Sequence, residues 1–128
     1  MSVFDAAYQA IDAIQTVSGR VFHAEALKNA SAPFIFWIQT GERFEQTLEG
    51  YTELGEDRYE IHIVTKNLSD LNSISRAVWN ALIDLQGEEK NGVLYENVQI
   101  TQVSPVIDER EVNLYRKVYS VTINYQEE

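Results

Sequence analysis

The chain has 128 residues, no cysteine, and 20 acidic against 10 basic residues, which gives a formal net charge of -10. This length is enough for one domain with a buried core, and the absence of cysteine excludes disulfides, thiolate metal sites and thiol nucleophiles. The acidic balance argues against direct binding to nucleic acid, because affinity for phosphates comes from clustered Lys and Arg.

The distribution of apolar residues along the chain also argues against a membrane protein. The first residues lack a basic region followed by an apolar run, and no stretch of about 18 apolar residues occurs. We therefore expect no signal peptide and no membrane span, and a protein made and first used in the cytoplasm.

The first predicted element is an amphipathic helix over about residues 3–17, which Ser2 would cap and Gly19 would end. The apolar residues at helical spacing are Phe4, Ala7, Tyr8, Ile11 and Ile14. After it, RVFH is consistent with a short edge strand. The segment AEALKNASAP is predicted to be a connection, and Pro33 favours an extended backbone where the next strand begins.

Two strands are predicted next, FIFWIQT and RYEIHIVT. The first is apolar on both faces, with Phe34, Phe36 and Ile38 on one and Ile35 and Trp37 on the other. Two helices usually cover only one face of a sheet, so Ile35 and Trp37 are predicted to contact another subunit. The second strand alternates, and it indicates a half-buried position.

The clearest helix follows in NLSDLNSISRAVWNALIDLQG, with Ser69 or Asp70 near its cap and Gly87 at its end. Its apolar stripe comprises Leu71, Ile74, Val78, Leu82 and Leu85. Trp79 lies off this stripe, so it either widens the buried face or contacts a partner.

The last two predicted strands lie in VLYENVQITQVSPV and VNLYRKVYSVTINY, and Pro105 interrupts the first of them. The order is therefore helix, strand, strand, helix, strand, strand. It predicts one α+β domain over residues 1–128: a two-layer sandwich, with a mainly antiparallel or mixed sheet of about four strands and two helices on one face.

Residues 41–57 are predicted to form a long acidic loop between the first two long strands. Phe44, Leu48 and Tyr51 are spaced so that the loop could form a short helix or place three apolar anchors in a partner's groove. A segment this small buries too little to hold one conformation alone, so we expect it to become ordered on assembly.

The sequence contains no motif typical of a catalytic, metal-binding or phosphate-binding site. His23 and His62 belong to no ligand-spaced cluster, the glycines form no phosphate-binding loop, and no G-x-S-x-G sequence is present. Glu56 and Asp57 are adjacent carboxylates without a supporting cluster. We therefore predict no catalytic residues, no metal and no cofactor.

Several segments together resemble the small phage tail terminator or tail completion proteins, which cap a tail tube and join it to the head. They are GRVFH, APFIFW, TGERFEQTLEG leading to DRYEIHIV, VWNALIDLQG and DEREVNLYRKVYSVTINY. The resemblance implies a non-enzymatic ring, usually of six subunits, in the virion tail or neck, assembled in the host cytoplasm. The implied partners are further copies of the chain, the tail tube protein and a head completion or connector protein.

The resemblance also implies that the long acidic segment contacts a neighbouring subunit or the tube. The residues predicted at an oligomer or partner interface are Ile35, Trp37, Glu42, Arg43, Phe44, Leu48 and Tyr51. DNA would pass through the ring without specific binding, because an acidic lumen repels it.

Other function classes stay open at this point. A small-ligand-binding or regulatory α+β domain would show a concave pocket within one subunit. A neighbouring head completion protein would share the small size and the lack of enzymatic activity. An acid/base enzyme would need a carboxylate in a cleft with a strongly raised pKa.

Overall fold

The computed structural model of the chain describes residues 5–12, 14, 21–23, 32–47, 50–90, 92–109 and 113–127. Within these ranges lie helices α1 (Asp5–Asp12) and α2 (Leu68–Leu85). The strands are β1 (Val21–His23), β2 (Phe34–Thr47), β3 (Gly50–Thr65), β4 (Glu89–Lys90), β5 (Val93–Val103), β6 (Ile107–Glu109) and β7 (Leu114–Glu127).

The strands form one sheet in the order β1-β2-β3-β7-β5-β4, with β6 also paired to β7. Only β1 and β2 pair in parallel among the described strands, and the sheet curls into half a barrel. The predicted two-layer sandwich of about four strands is therefore wrong, because the described strands form one curled sheet of seven strands. The very short strands β4 and β6 have too few residues to show a hydrophobic period.

Helix α2 begins as predicted, with Ser69 and Asp70 in its first turn next to the cap. Its N-cap is Asn67, whose Oδ1 accepts a hydrogen bond from the Asp70 backbone N–H at 2.8 Å. The Asn67 amide in turn donates to the Asp70 carboxylate at 2.8 Å. The predicted stop at Gly87 is confirmed: its φ of 84° is the left-handed conformation that ends helices.

Helix α1 is observed over Asp5–Asp12, within the predicted span of residues 3–17, whose other positions except Ile14 lie outside the described residues. Its buried residues Ala7 and Ile11 face the core. Neither α1 nor α2 combines the length and apolar character that a membrane-crossing helix needs.

The core lies between the helices and one face of the sheet, which we call the inner face. Buried side chains reach it from α2 (Leu71, Ile74, Val78, Leu82, Leu85), β2 (Ile35), β3 (Tyr59, Ile61, Ile63), β5 (Val93, Tyr95, Val98) and β7 (Tyr119, Val121, Ile123, Tyr125). The opposite face, the outer face, carries no helix among the described residues.

The two faces of β2 are the reverse of the sequence prediction. Ile35 pairs with Ile63 and Trp37 with Ile61, so both belong to the helix-covered inner face. The outer face instead presents Phe34, Phe36 and Ile38. A strand that is apolar on both sides gives no local signal for the side on which the helices pack, and tertiary structure decides it.

Candidate assembly surface

Residues 41–57 are not the predicted loop but the distal half of a long hairpin between β2 and β3. Antiparallel pairing continues from Phe34 opposite Val64 to Thr47 opposite Gly50, with irregularities after Gln39 and Phe44. Backbone hydrogen bonds between two strands need no apolar side chains, so an acidic sequence can form them. Phe44 and Tyr51 lie on opposite strands, which excludes a shared short helix.

The hairpin extends past the rest of the sheet. Strand β7 pairs with β3 from Thr65 opposite Tyr115 to Leu54 opposite Gln126, and beyond that point β2 is the only described strand that pairs with β3. We call residues 45–53 the distal ribbon. From the rise per residue of a β-strand, its two strands extend about 13 to 16 Å beyond the last residue pair between β3 and β7.

Gly55 and Tyr125 mark the base of the distal ribbon on the inner face. They are a cross-strand pair, and a Cβ at Gly55 would lie 2.4 Å from Cζ of the Tyr125 ring. Tyr125 is buried, so its ring occupies the space that any other residue at position 55 would need. This close approach explains a glycine whose role the sequence did not reveal.

A buried polar pair lies beside that base. The Tyr59 hydroxyl donates a hydrogen bond of 2.7 Å to the Asp57 carboxylate, and both residues are buried. On the other face, Arg58 and Glu56 approach to 3.8 Å, and the Arg58 side chain is largely exposed. Such an exposed ion pair contributes little to stability.

The outer face is apolar near the start of β2. The Phe34 and Phe36 rings stack with centroids 6.3 Å apart, and Phe36 stacks on the His62 ring at 4.3 Å with an interplanar angle of 10°. His62 Nε2 is 3.1 Å from a Glu60 carboxylate oxygen. Ile38 continues this patch and is 38% exposed.

A polar depression of about 570 Å³ lies near the base of the distal ribbon. Its lining comprises Arg43, Gly55, Glu56, Glu96, Asn97, Asn124 and Tyr125. Small-molecule sites are predominantly apolar with a few polar groups, whereas charged and amide side chains dominate here. In the described part of the chain, no three His, Asp or Glu side chains converge as metal ligands would.

The predicted interface residues fall into three groups. Ile35 is fully buried in the core, and Trp37 is half-buried with its ring edge-on to Tyr59 at 5.9 Å. Glu42 and Arg43 are exposed on β2. The backbone of Phe44 and Tyr51 is part of the hairpin, but the structure does not describe their side chains. Leu48 lies outside the described residues altogether.

Comparisons with known proteins identify the fold but no family. No family model matches the sequence, and no curated protein matches it. A chain from a solved structure described as "Virion of native gene transfer agent (GTA) particle" is similar, with a TM-score of 0.69. The similarity covers 98% of this chain and 95% of that chain at 13% sequence identity. The two chains therefore share a fold.

Proposed function

We propose that this protein is a structural subunit of a phage-like particle, and that it caps the tail tube as a homo-oligomeric ring. The observation that carries the proposal is the fold shared with a chain of a gene transfer agent virion along 98% of the length. The ring ends tube polymerisation on one side and offers a joining surface to the head on the other.

The distal ribbon supports this proposal because it extends beyond the strands that hold the rest of the hairpin in the sheet. It projects past the last β7 pairing, and isolated two-stranded hairpins are marginally stable in water. A partner that packs against it would provide the missing contacts. The proposed contact residues are therefore Leu48 and Tyr51 of the ribbon, together with Glu42, Arg43 and Phe44 just before it.

The outer face provides a second proposed contact. Phe34, Phe36 and Ile38 form an apolar patch on the side of the sheet away from the helices. Aromatic residues are enriched in the centres of protein interfaces. This patch replaces Ile35 and Trp37 in the proposed interface, because those two side chains pack within the chain.

The net charge has a role in the same proposal. Several copies, each with a formal charge of -10, would make an acidic ring. Where the acidic side chains face the lumen, they repel DNA and let it pass without sticking. The ring would lie at the tail or neck of the particle, between the tube protein and a head completion or connector protein.

The test is the solution mass by light scattering over a wide range of concentration, at low and high salt, with and without tail tube protein. A closed oligomer, or a monomer that assembles on the tube and halts its growth, is the expected result. Salt is varied because like-charged subunits repel until they are screened. A monomer under every condition that leaves tube growth unchanged would refute the proposal.

A matched variant makes the test specific to the distal ribbon. In this variant, Asn-Gly replaces residues 45–54 and joins Phe44 to Gly55. The replacement removes the ribbon and closes the remaining hairpin with a favoured two-residue turn. We expect this variant to keep its unfolding temperature and to lose tube capping. Full capping without the ribbon would show that other surfaces carry assembly.

A second candidate is a small-ligand-binding domain, favoured by the depression of about 570 Å³. Its polar lining would suit a charged or strongly hydrogen-bonding ligand. A thermal-shift screen with such compounds distinguishes it, because a bound ligand raises the unfolding temperature of a monomer. A head completion protein is the third possibility, and it would bind the head connector without halting tube growth.

A further inference from the structure

A groove on the inner face lies between α2 and the adjoining ends of β5 and β7. Its volume is about 260 Å³, and its lining comprises Asn72, Ser75, Arg76, Trp79, Val103, Lys117 and Tyr119. We call it the basic groove. Tyr119 fixes its floor, because its hydroxyl donates a hydrogen bond of 2.9 Å to the Ser75 carbonyl of α2.

One side of the basic groove is apolar and exposed. Trp79 is 38% exposed and Val103 39%. The Trp79 ring lies edge-on to Tyr119 with centroids 6.2 Å apart, which holds the indole at the rim. The cross-strand pair of Val103 with Tyr119 continues this side onto the sheet.

The other side of the basic groove is cationic. Arg76 and Lys117 form no ion pair with any side chain of the described residues, in a chain with twice as many acidic as basic residues. Ser75 is 3% exposed, and its Oγ has no hydrogen-bond partner in the described part of the chain. The groove thus combines two available cations, a hydroxyl and an aromatic rim, which suits carboxylates next to apolar side chains.

The distal ribbon has the complementary composition. Residues 44–54 contain Glu45, Glu49 and Glu53 and no basic residue. The apolar residues in the same stretch are Phe44, Leu48, Tyr51 and Leu54. Carboxylates that alternate with apolar side chains match a groove that offers cations beside an indole.

A chain cannot fill its own basic groove with its own ribbon. Tyr119 of the groove pairs with Ile61 of β3, whereas the ribbon starts beyond Leu54 and points away. Along β3 the separation from Ile61 to Leu54 is about 23 Å, at a strand rise of about 3.3 Å per residue. The ribbon and the groove therefore lie at opposite ends of the sheet, so any occupant of this kind comes from another copy.

We infer that the basic groove receives the distal ribbon of a second copy of the chain. This inference rests on the proposed ring and names its subunit contact. The contact is heterologous, since a protruding element of one copy enters a cavity of the next. Repetition of such a contact produces a closed ring when the rotation between copies closes, and a filament when it does not.

The test uses charge reversal in the full-length chain. The groove variant Arg76→Glu/Lys117→Glu and the ribbon variant Glu45→Lys/Glu49→Lys should each weaken self-association by about 10- to 100-fold, because like charges would then face each other. A 1:1 mixture of the two variants should regain association as oligomers in which the variants alternate, because each ribbon then meets a groove of opposite charge. The exposed pair Lys66→Glu/Lys90→Glu, outside the groove, is the control that changes net charge equally.

The masses are measured by sedimentation velocity, and circular dichroism melting confirms that each variant folds. Equal self-association of the groove and control variants would overturn the inference, as would a wild-type chain that never self-associates. Capping of the tail tube is measured in parallel with the same variants. If wild type caps the tube while groove reversal changes nothing, the proposed function stands and this contact does not.

Discussion

The helix-covered sheet and the distal ribbon are made of the same two strands, yet they are held together by different interactions. Within the covered region, Ile61 and Ile63 of β3 are fully buried under α2. Past Leu54, the same strand pairs only with β2. The comparison shows that one strand can be buried in a core at one end and pair with a single neighbouring strand at the other.

The largest expected effect is a loss of stability, which should be much greater for a substitution on the inner face than for one on the outer face. Ile61→Ala should lower the free energy of unfolding by about 2 to 5 kcal/mol, because it leaves a cavity in a closely packed core. Ile38→Ala is the matched control, since Ile38 is 38% exposed on the outer face. Urea unfolding measures both, and equal losses would contradict the assignment of the two faces.

The next effect tests the boundary between the covered region and the ribbon. Gly55→Ala should cost about 1 to 3 kcal/mol, because the new methyl group would displace the buried Tyr125 ring. Gly41→Ala is the control: its Cβ would meet only the Arg58 side chain, at an ordinary 3.5 Å or more. If thermal unfolding gave the same loss for both variants, close approach at Gly55 would not be the reason for its glycine.

A smaller effect concerns the contact between α2 and β7. Burial raises the pKa of the Tyr119 hydroxyl above its usual value, against smaller opposing contributions from the nearby Ser75 side chain and the charge of Arg76. Tyr119→Phe should cost about 1 kcal/mol at neutral pH through the lost hydrogen bond.

The same substitution predicts a change in pH dependence. Because the pKa of Tyr119 is higher in the folded state, its contribution is complete below the unfolded value of about 10 and is lost as pH rises through the folded value. Urea unfolding from neutral to strongly alkaline pH should therefore show a shallower decline for Tyr119→Phe than for wild type. Parallel declines would show that Tyr119 ionises alike in both states.

The smallest effect is expected beside the distal ribbon. Glu42→Ala/Arg43→Ala should change the free energy of unfolding by less than about 0.5 kcal/mol, because both side chains are exposed. Under the proposed function the same variant should weaken tube capping. A loss of stability as large as that of Gly55→Ala would mean that this part of the hairpin is integrated into the core.

The sequence correctly predicted the elements whose apolar spacing is compatible with only one type of secondary structure. The apolar stripe from Leu71 to Leu85 is buried, and the alternating residues Val121, Ile123 and Tyr125 of β7 are buried on one face of the sheet. The short edge strand after the first helix is also confirmed, as β1 at the end of the sheet. In each case local spacing and tertiary burial agree.

The sequence failed where local spacing is ambiguous or where the backbone decides. The apolar residues on both sides of β2 gave no basis for choosing the helix-covered face. The acidic stretch from Gly41 to Asp57 was predicted to be a loop, since its charges and glycines are typical of loops, yet strand pairing continues through it. Neither the role of Gly55 nor the basic groove was predictable, because both depend on residues that are distant in sequence.

The order of strands in the sheet has a consequence for folding kinetics. Strands β2 and β3 are neighbours in sequence, but β3 finds its second neighbour only in β7, and Leu54 pairs with Gln126 across more than half of the chain. Contacts between such distant residues form slowly, because a long loop must close before they are made. During that interval the bare edge of β3 can pair with another chain. Refolding yield should therefore fall steeply as protein concentration rises, even if the native protein is highly soluble.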